Sequence, residues 1–401
     1  MWKICANFIK MEKYNFDTVI DRRNTGAIKI EGLKERFGRE DVCPMWIADM
    51  DFAICPEITA ALNERLADPV YGYSKASDGY WQAIIDWLDR RHHLSVTREE
   101  LSFIPGVVRG VAYAVNYFSS RGDKIIIQPP VYHPFKMVIE GNDRVALPNP
   151  LVLTELGYKM DLEHLERLMA EESPRMMILC NPHNPAGIQW DVETLRRVAA
   201  LARKHNVVVV SDEIHADLMV FGNEHIPFVS VSEDAETVAV TLSAPSKTFN
   251  IPGLVSSWML VKNPELRVPF YRWLSSNEFD GANFMATIGT EAAYRNGERW
   301  LGELLTYIED NIKFVEEFMA QNLPMLKPMR PQASFLVWLD CRGLNLSQPQ
   351  LVDLFVNKAR LALNDGTMFG REGEGFMRLN VACPRVVLAD ALANLAKAIN
   401  D

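Results

Sequence analysis

The chain has 401 residues, 48% of them hydrophobic and 10% aromatic, enough for a large core and two domains and excluding a disordered chain. A formal net charge of −10 argues against a broad nucleic-acid or anionic-membrane surface. Six cysteines (Cys5, Cys43, Cys55, Cys180, Cys341, Cys383) form no CxxC pair and read as reduced thiols of a cytoplasmic protein, and no apolar run reaches membrane-spanning length.

Residues 1–10 lack a signal-peptide pattern, and Met11-Glu12-Lys13 looks like an alternative start, so they read as a disordered extension. Residues 15–39 are polar and turn-rich. Pro44 to Phe52 alternates apolar residues with Asp49 and Asp51, as a strand end facing a cleft or as a plain edge strand. Pro56 to Leu66 has helical spacing with proline near its start. Tyr71-Gly72-Tyr73 is an aromatic turn, able to pack or to present a hydroxyl to an anion. The spacing of Trp81, Ile84, Ile85 and Leu88 predicts a helix over 79–91.

Strands then alternate with helices. Strands are predicted at 101–104, 124–128, 175–180, 207–212, 237–242 and 256–261, with helices at 111–118 and 191–205. The run Val207-Val208-Val209-Val210 suits a strand buried on both faces. This alternation predicts a mainly parallel sheet covered by helices, an α/β fold. From about Pro264 helices dominate, and strands at 335–339 and 375–380 indicate a smaller α+β domain. The expected division is an N-terminal segment over 1–60 belonging to the small domain, a large domain over 61–295 and the rest of the small domain over 296–401.

Three strand ends carry polar residues. Asn181-Pro182-His183-Asn184-Pro185-Ala186-Gly187 forms a rigid turn, presenting an asparagine amide or serving only as a connection. Asp212 ends the valine strand, where a carboxylate needs a partner, and a helix-cap role is the other reading. Ser246-Lys247-Thr248 sets one lysine among small neighbours, and alone it reads as a solvated loop lysine. Together the three match pyridoxal 5'-phosphate: lysine for its aldehyde, carboxylate for its ring nitrogen, amide for its phenolic oxygen. No metal is called for.

On these residues, and on Trp46 to Phe52, Tyr71-Gly72-Tyr73-Ser74, Asp212-Glu213-Ile214-His215 and Arg378-Leu379-Asn380, the chain resembles the fold-type I, class I/II aminotransferase superfamily. Within it the chain looks like the MalY/PatB group of cystathionine β-lyases, also called C–S lyases. The resemblance implies a seven-stranded, mainly parallel sheet in the large domain. It implies phosphate contacts from Gly106, Val107, Val108 and Ser246, and stacking of Tyr132 on the cofactor ring. Arg378 would grip the substrate carboxylate. Tyr73 would reach the neighbouring subunit's phosphate, so a homodimer with shared sites is expected. Two positions depart from the aminotransferases: Val255 stands where many carry a phosphate-binding arginine, and His215 where a tyrosine is common.

The implied activity is removal of a thiol from an amino acid such as cystathionine, with Lys247 as base and Asp212 holding the ring nitrogen protonated. An aminotransferase is the alternative, since the same residues serve both. A non-catalytic regulatory protein on this fold is a further reading, opposed by the intact Lys247 and Asp212.

Overall fold

The computed structural model describes residues 14–155 and 157–400; the extension expected at 1–10 lies outside the described residues. Its central sheet has seven strands: β1 (Leu101–Ile104), β2 (Lys124–Ile127), β3 (Val145–Pro148), β4 (Met176–Cys180), β5 (Val208–Asp212), β6 (Ala239–Ser243) and β7 (Ser257–Leu260). They run in the order β1-β7-β6-β5-β4-β2-β3. All neighbours are parallel except β7, which is antiparallel to β1 and β6. Every residue of β4 is buried, which explains its unbroken apolar run.

Four local expectations change. Thr237 and Val238 close a short helix, Glu233–Val238, because the Ser232 side chain accepts from Ala235 N–H and starts a helical turn. The strand therefore begins at Ala239. The helix expected from Val111 begins at Val107, directly after Gly106 at φ +118°. The seventh strand, β3, carried no strong signal because it lies at the sheet edge with Val145 exposed and a terminal proline. Residues 46–52 form no strand. Only Cys43–Pro44 pairs there, in parallel with Leu361–Ala362.

A second, four-stranded sheet comprises β8 (Lys327–Met329), β9 (Leu336–Asp340), β10 (Asn364–Asp365) and β11 (Phe376–Asn380) in the antiparallel order β8-β9-β11-β10. Trp338 and Phe376 stack with ring centroids 5.2 Å apart. The helix Glu298–Asn322, about 37 Å long at 1.5 Å per residue, precedes this sheet and is tied to its far end. Its buried Asn311 donates to the carbonyls of Val381 (2.8 Å) and Cys383 (2.9 Å). No helix of the described residues is long and apolar enough to cross a membrane.

The turn after β4 joins the two sheets. Gly187 has φ +66°, and its carbonyl accepts from Gln332 N–H (2.8 Å) and Ala333 N–H (3.1 Å). A Cβ there would lie 2.4 Å from Pro331 Cβ and 2.9 Å from the Ala333 carbonyl oxygen. Gly187→Ala is therefore expected to lower stability by about 2–4 kcal/mol, from left-handed strain plus steric displacement. Urea unfolding of the two proteins checks this through a reduced midpoint at unchanged slope.

Candidate active site

Side chains gather where strands β4, β5 and β6 end. A cavity of about 300 Å³ is lined there by Gly106, Val107, Val108, Tyr132, Asn184, Asp212, Ser246 and Lys247. Parallel strands converge their carboxyl ends on one edge, and the turns that follow supply the polar groups. Lys247 lies on a single helical turn, Pro245–Thr248, just beyond β6. Its Nζ donates to the Ala48 carbonyl. Burial, with Arg378 close by, pulls the amine down to about 8, so much of it is neutral in mildly alkaline solution.

Asp212 is the last residue of β5 and is 3% exposed. One oxygen accepts from Ile214 N–H at 3.1 Å, and no cation pairs with it among the described residues. Burial pushes its carboxyl up to about 7. Asn184 brings its Oδ1 to Arg378 Nη1 at 2.9 Å. Arg378 stands on β11, is 4% exposed, and also donates from Nη2 to Asn364 Oδ1 (2.7 Å) and the Trp46 carbonyl (3.1 Å). It has no carboxylate partner among the described residues, and its buried Nε has no acceptor. A guanidinium in this state has room for an anion.

The helix Val107–Phe118 points its start at the same cavity. Its first intrahelical bond is Gly110 N–H to the Gly106 carbonyl. The preceding amides of Val107, Val108 and Arg109 belong to the turn that carries no intrahelical acceptor, a setting that favours an anion. Half-buried Tyr132 forms one wall. Of the predicted site residues, Arg378 does not line the cavity itself but bonds to Asn184, which does, and Tyr73 stands apart with its side chain fully exposed. Val255 and His215 both line the cavity.

Several participants gave no signal in the sequence. Arg109, Cys180, Ser256 and Ser257 line the cavity, and Asn364 and the Trp46 carbonyl hold Arg378. Arg109 directly follows Gly106, Val107 and Val108, and its charge next to Val108 was the one available hint. Asn364 lies on the two-residue strand β10, and no periodicity marks so short an element.

The donor set fits pyridoxal phosphate. A carboxylate without a cation suits a ring nitrogen, a depressed amine suits an aldehyde, and open helix amides suit a phosphate. The sheet order and the converging lysine, aspartate and arginine define a fold-type I α/β enzyme. Residues 41–395 match the family profile of aminotransferase class I and II, and the chain belongs to that family. It is 42% identical over 386 residues to cystathionine beta-lyase PatB of Bacillus subtilis, covering 96% of this chain and 100% of that protein. It is 34% identical to protein MalY of Escherichia coli, over 96% of this chain and 99% of that one. Among solved structures, cystalysin from Treponema denticola, which contains pyridoxal 5'-phosphate, superposes with a TM-score of 0.93 at 31% identity, over 97% of this chain and 100% of that chain.

The buried carboxyl makes stability pH-dependent in the cofactor-free protein. Asp212 keeps its proton up to about 7 when folded, against 3.8 as its ordinary value. Between these values the folded state binds more protons, so this group's contribution falls as pH rises from about 4 to about 7. Lys247 acts oppositely: from about 8 towards 10.5 the unfolded chain binds more protons, and stability rises with pH. Asp212→Asn should abolish the first slope and keep the second, as measured by urea unfolding across that range.

Proposed function

We propose that this protein is a pyridoxal-phosphate-dependent carbon–sulfur β-lyase that releases a thiol, pyruvate and ammonia from L-cystathionine or a related cysteine S-conjugate. One observation carries the reading. Half-buried Lys247 and buried Asp212 line one cavity, buried Arg378 bonds to Asn184 in its wall, and none of the three has an ion-pair partner among the described residues. Their charges complement an aldehyde cofactor with a basic ring nitrogen and a substrate with a carboxylate. The relatives named as cystathionine beta-lyases support the choice of reaction.

When bound, pyridoxal phosphate supplies an electron sink for the pair left at Cα. Lys247 would hold the cofactor through its aldehyde and would take the Cα proton at Nζ. Asp212 would keep a proton on the ring nitrogen by charge pairing. Asn184 would hold the phenolic oxygen, Tyr132 would stack on the ring, and Ser246 with Gly106, Val107 and Val108 would hold the phosphate. Arg378 fixes the substrate carboxylate and thereby aligns the Cα–H bond. Val255 leaves the phosphate end without an arginine at that position, and Arg109 is the cation that borders it.

We further read the central sheet and the second sheet as two domains, the described residues of 61–295 and of 296–401, with residues 14–60, the described part of the N-terminal segment, joining the second. Exposed Val70, Tyr71 and Tyr73 support a homodimer in which Tyr73 completes the neighbouring site. The five described cysteines are free, which supports a cytoplasmic setting.

Purified protein given L-cystathionine is expected to show a band near ~420 nm and to release pyruvate and homocysteine. Transfer of the amino group to a keto acid, without pyruvate, would move the assignment to an aminotransferase. Lys247→Ala should lose the band and at least ~10³-fold in pyruvate formation. Arg378→Lys should cost ~10–100-fold in kcat/KM, since lysine lacks the planar fork.

A further inference from the structure

Beyond the cofactor cavity, a second cavity of about 620 Å³ meets the first at Lys247. Its wall carries Arg22, Asp49 and Asp51, and buried Lys29 pairs with both carboxylates. Asp51 is fully engaged: Oδ1 accepts from Arg22 Nη1 at 2.8 Å and Oδ2 from buried Lys29 Nζ at 2.7 Å. Asp49 is engaged at one oxygen, where Oδ2 accepts from Arg22 Nη2 at 2.6 Å. Its other oxygen, Oδ1, is buried and has no hydrogen bond, with Lys29 Nζ 3.6 Å away.

A buried carboxylate oxygen without a donor is costly, and such groups are met by a donor in some state of the protein. The backbone around Asp49 is held by side-chain amides. Asn380 Nδ2 donates to the carbonyls of Ile47 (2.7 Å) and Asp49 (2.8 Å), and Asn250 bonds to Met50 and Phe52. Lys247 Nζ already donates to the carbonyl of Ala48, the residue before Asp49. An ammonium has three N–H donors, and this contact uses one.

We propose that Asp49 is a positioning residue for the reaction: its Oδ1, ion-paired to Lys29 at 3.6 Å but accepting no hydrogen bond, receives the ammonium that forms when Lys247 takes the substrate's Cα proton. In that step the Cα–H bond breaks, an N–H bond forms at Nζ, and the electron pair passes to the cofactor ring, so no oxidant or reductant is needed. The charged and titratable groups facing Lys247 are Arg378, Asp49, Asp212 and His215, and those facing Asp49 are Arg22 and Lys29. Arg378 opposes the ammonium, while Asp49 and Asp212 favour it. Once Asp212 is paired with a ring nitrogen, Asp49 is the acidic group left to offset Arg378. The inference rests on the lyase reading for its proton transfer and only on cofactor attachment at Lys247 for its spectroscopic sign.

The test is a pH titration of the ~420 nm band of the holoprotein without substrate, together with steady-state pyruvate formation from L-cystathionine. Asp49→Asn is expected to lower the titration midpoint by about one pH unit, and to lower kcat about tenfold with KM within about twofold. Asp49→Glu should restore part of the midpoint. Arg22→Gln, which removes a neighbouring cation, should move the midpoint upward. A merely structural role would not give shifts of opposite sign in the two variants. An unmoved midpoint in Asp49→Asn, with wild-type pyruvate formation intact, overturns the assignment alone. The expected midpoint shifts without pyruvate from wild type on any sulfur substrate would overturn the lyase reading and leave Asp49 acting on Lys247.

Discussion

Three ionisable side chains gathered at one cavity, none of them in an ion pair among the described residues, set the terms for this structure. A group that ionises away from water can discharge, or it can find a partner. Lys247 and Asp212 take the first route, one falling to about 8 and the other rising to about 7. Arg378 is lowered only to about 10 and stays cationic at neutral pH. It is held by amide and carbonyl oxygens and lies 4.9 Å over the Phe369 ring, contacts that orient a guanidinium without neutralising it. The cavity is thus prepared for a ligand that brings an anion to Arg378 and a basic nitrogen to Asp212.

Distant stretches of chain maintain that arrangement through amides. Asn250, at φ +57°, and Asn380 grip residues 47–52 from opposite sides, one from the turn after Lys247 and one from β11. Behind Lys247, Thr248 Oγ1 donates to Asp217 Oδ2 at 2.8 Å. Asp217 also accepts from Trp87 Nε1 at 2.9 Å, and against the effect of burial its contacts with His92, Arg91 and Thr248 hold its carboxyl down at about 2. The turn that carries the lysine is thus anchored in a polar network.

Much of this was legible because burial writes itself into composition. The valines ending at Asp212, the Asn-Pro steps around Asn184 and the small residues before Lys247 each mark a strand end in the sequence, and the structure brings them to one cavity. Long-range pairings left no such mark. Nothing local shows that Trp46 and Asn364 hold Arg378, since those contacts depend on how two sheets dock. Residues 46–52 look like a strand because apolar and acidic residues alternate. The alternation arises instead from an irregular segment whose apolar residues Met50 and Phe52 enter the core, while Asp49 and Asp51 meet Arg22 and Lys29. Edge strand β3 was hidden for the opposite reason, having too few buried positions to show a pattern.

The grip of Asn380 on Ile47 and Asp49 also bears on how the protein is made. A chain emerging from the ribosome has its central sheet, with Asp212 and Lys247, well before residues 378–380 are synthesised. Until then the carbonyls of Trp46, Ile47 and Asp49 lack the donors supplied by Arg378 and Asn380. The roof over Lys247 therefore closes late, after the sheet beneath it has formed.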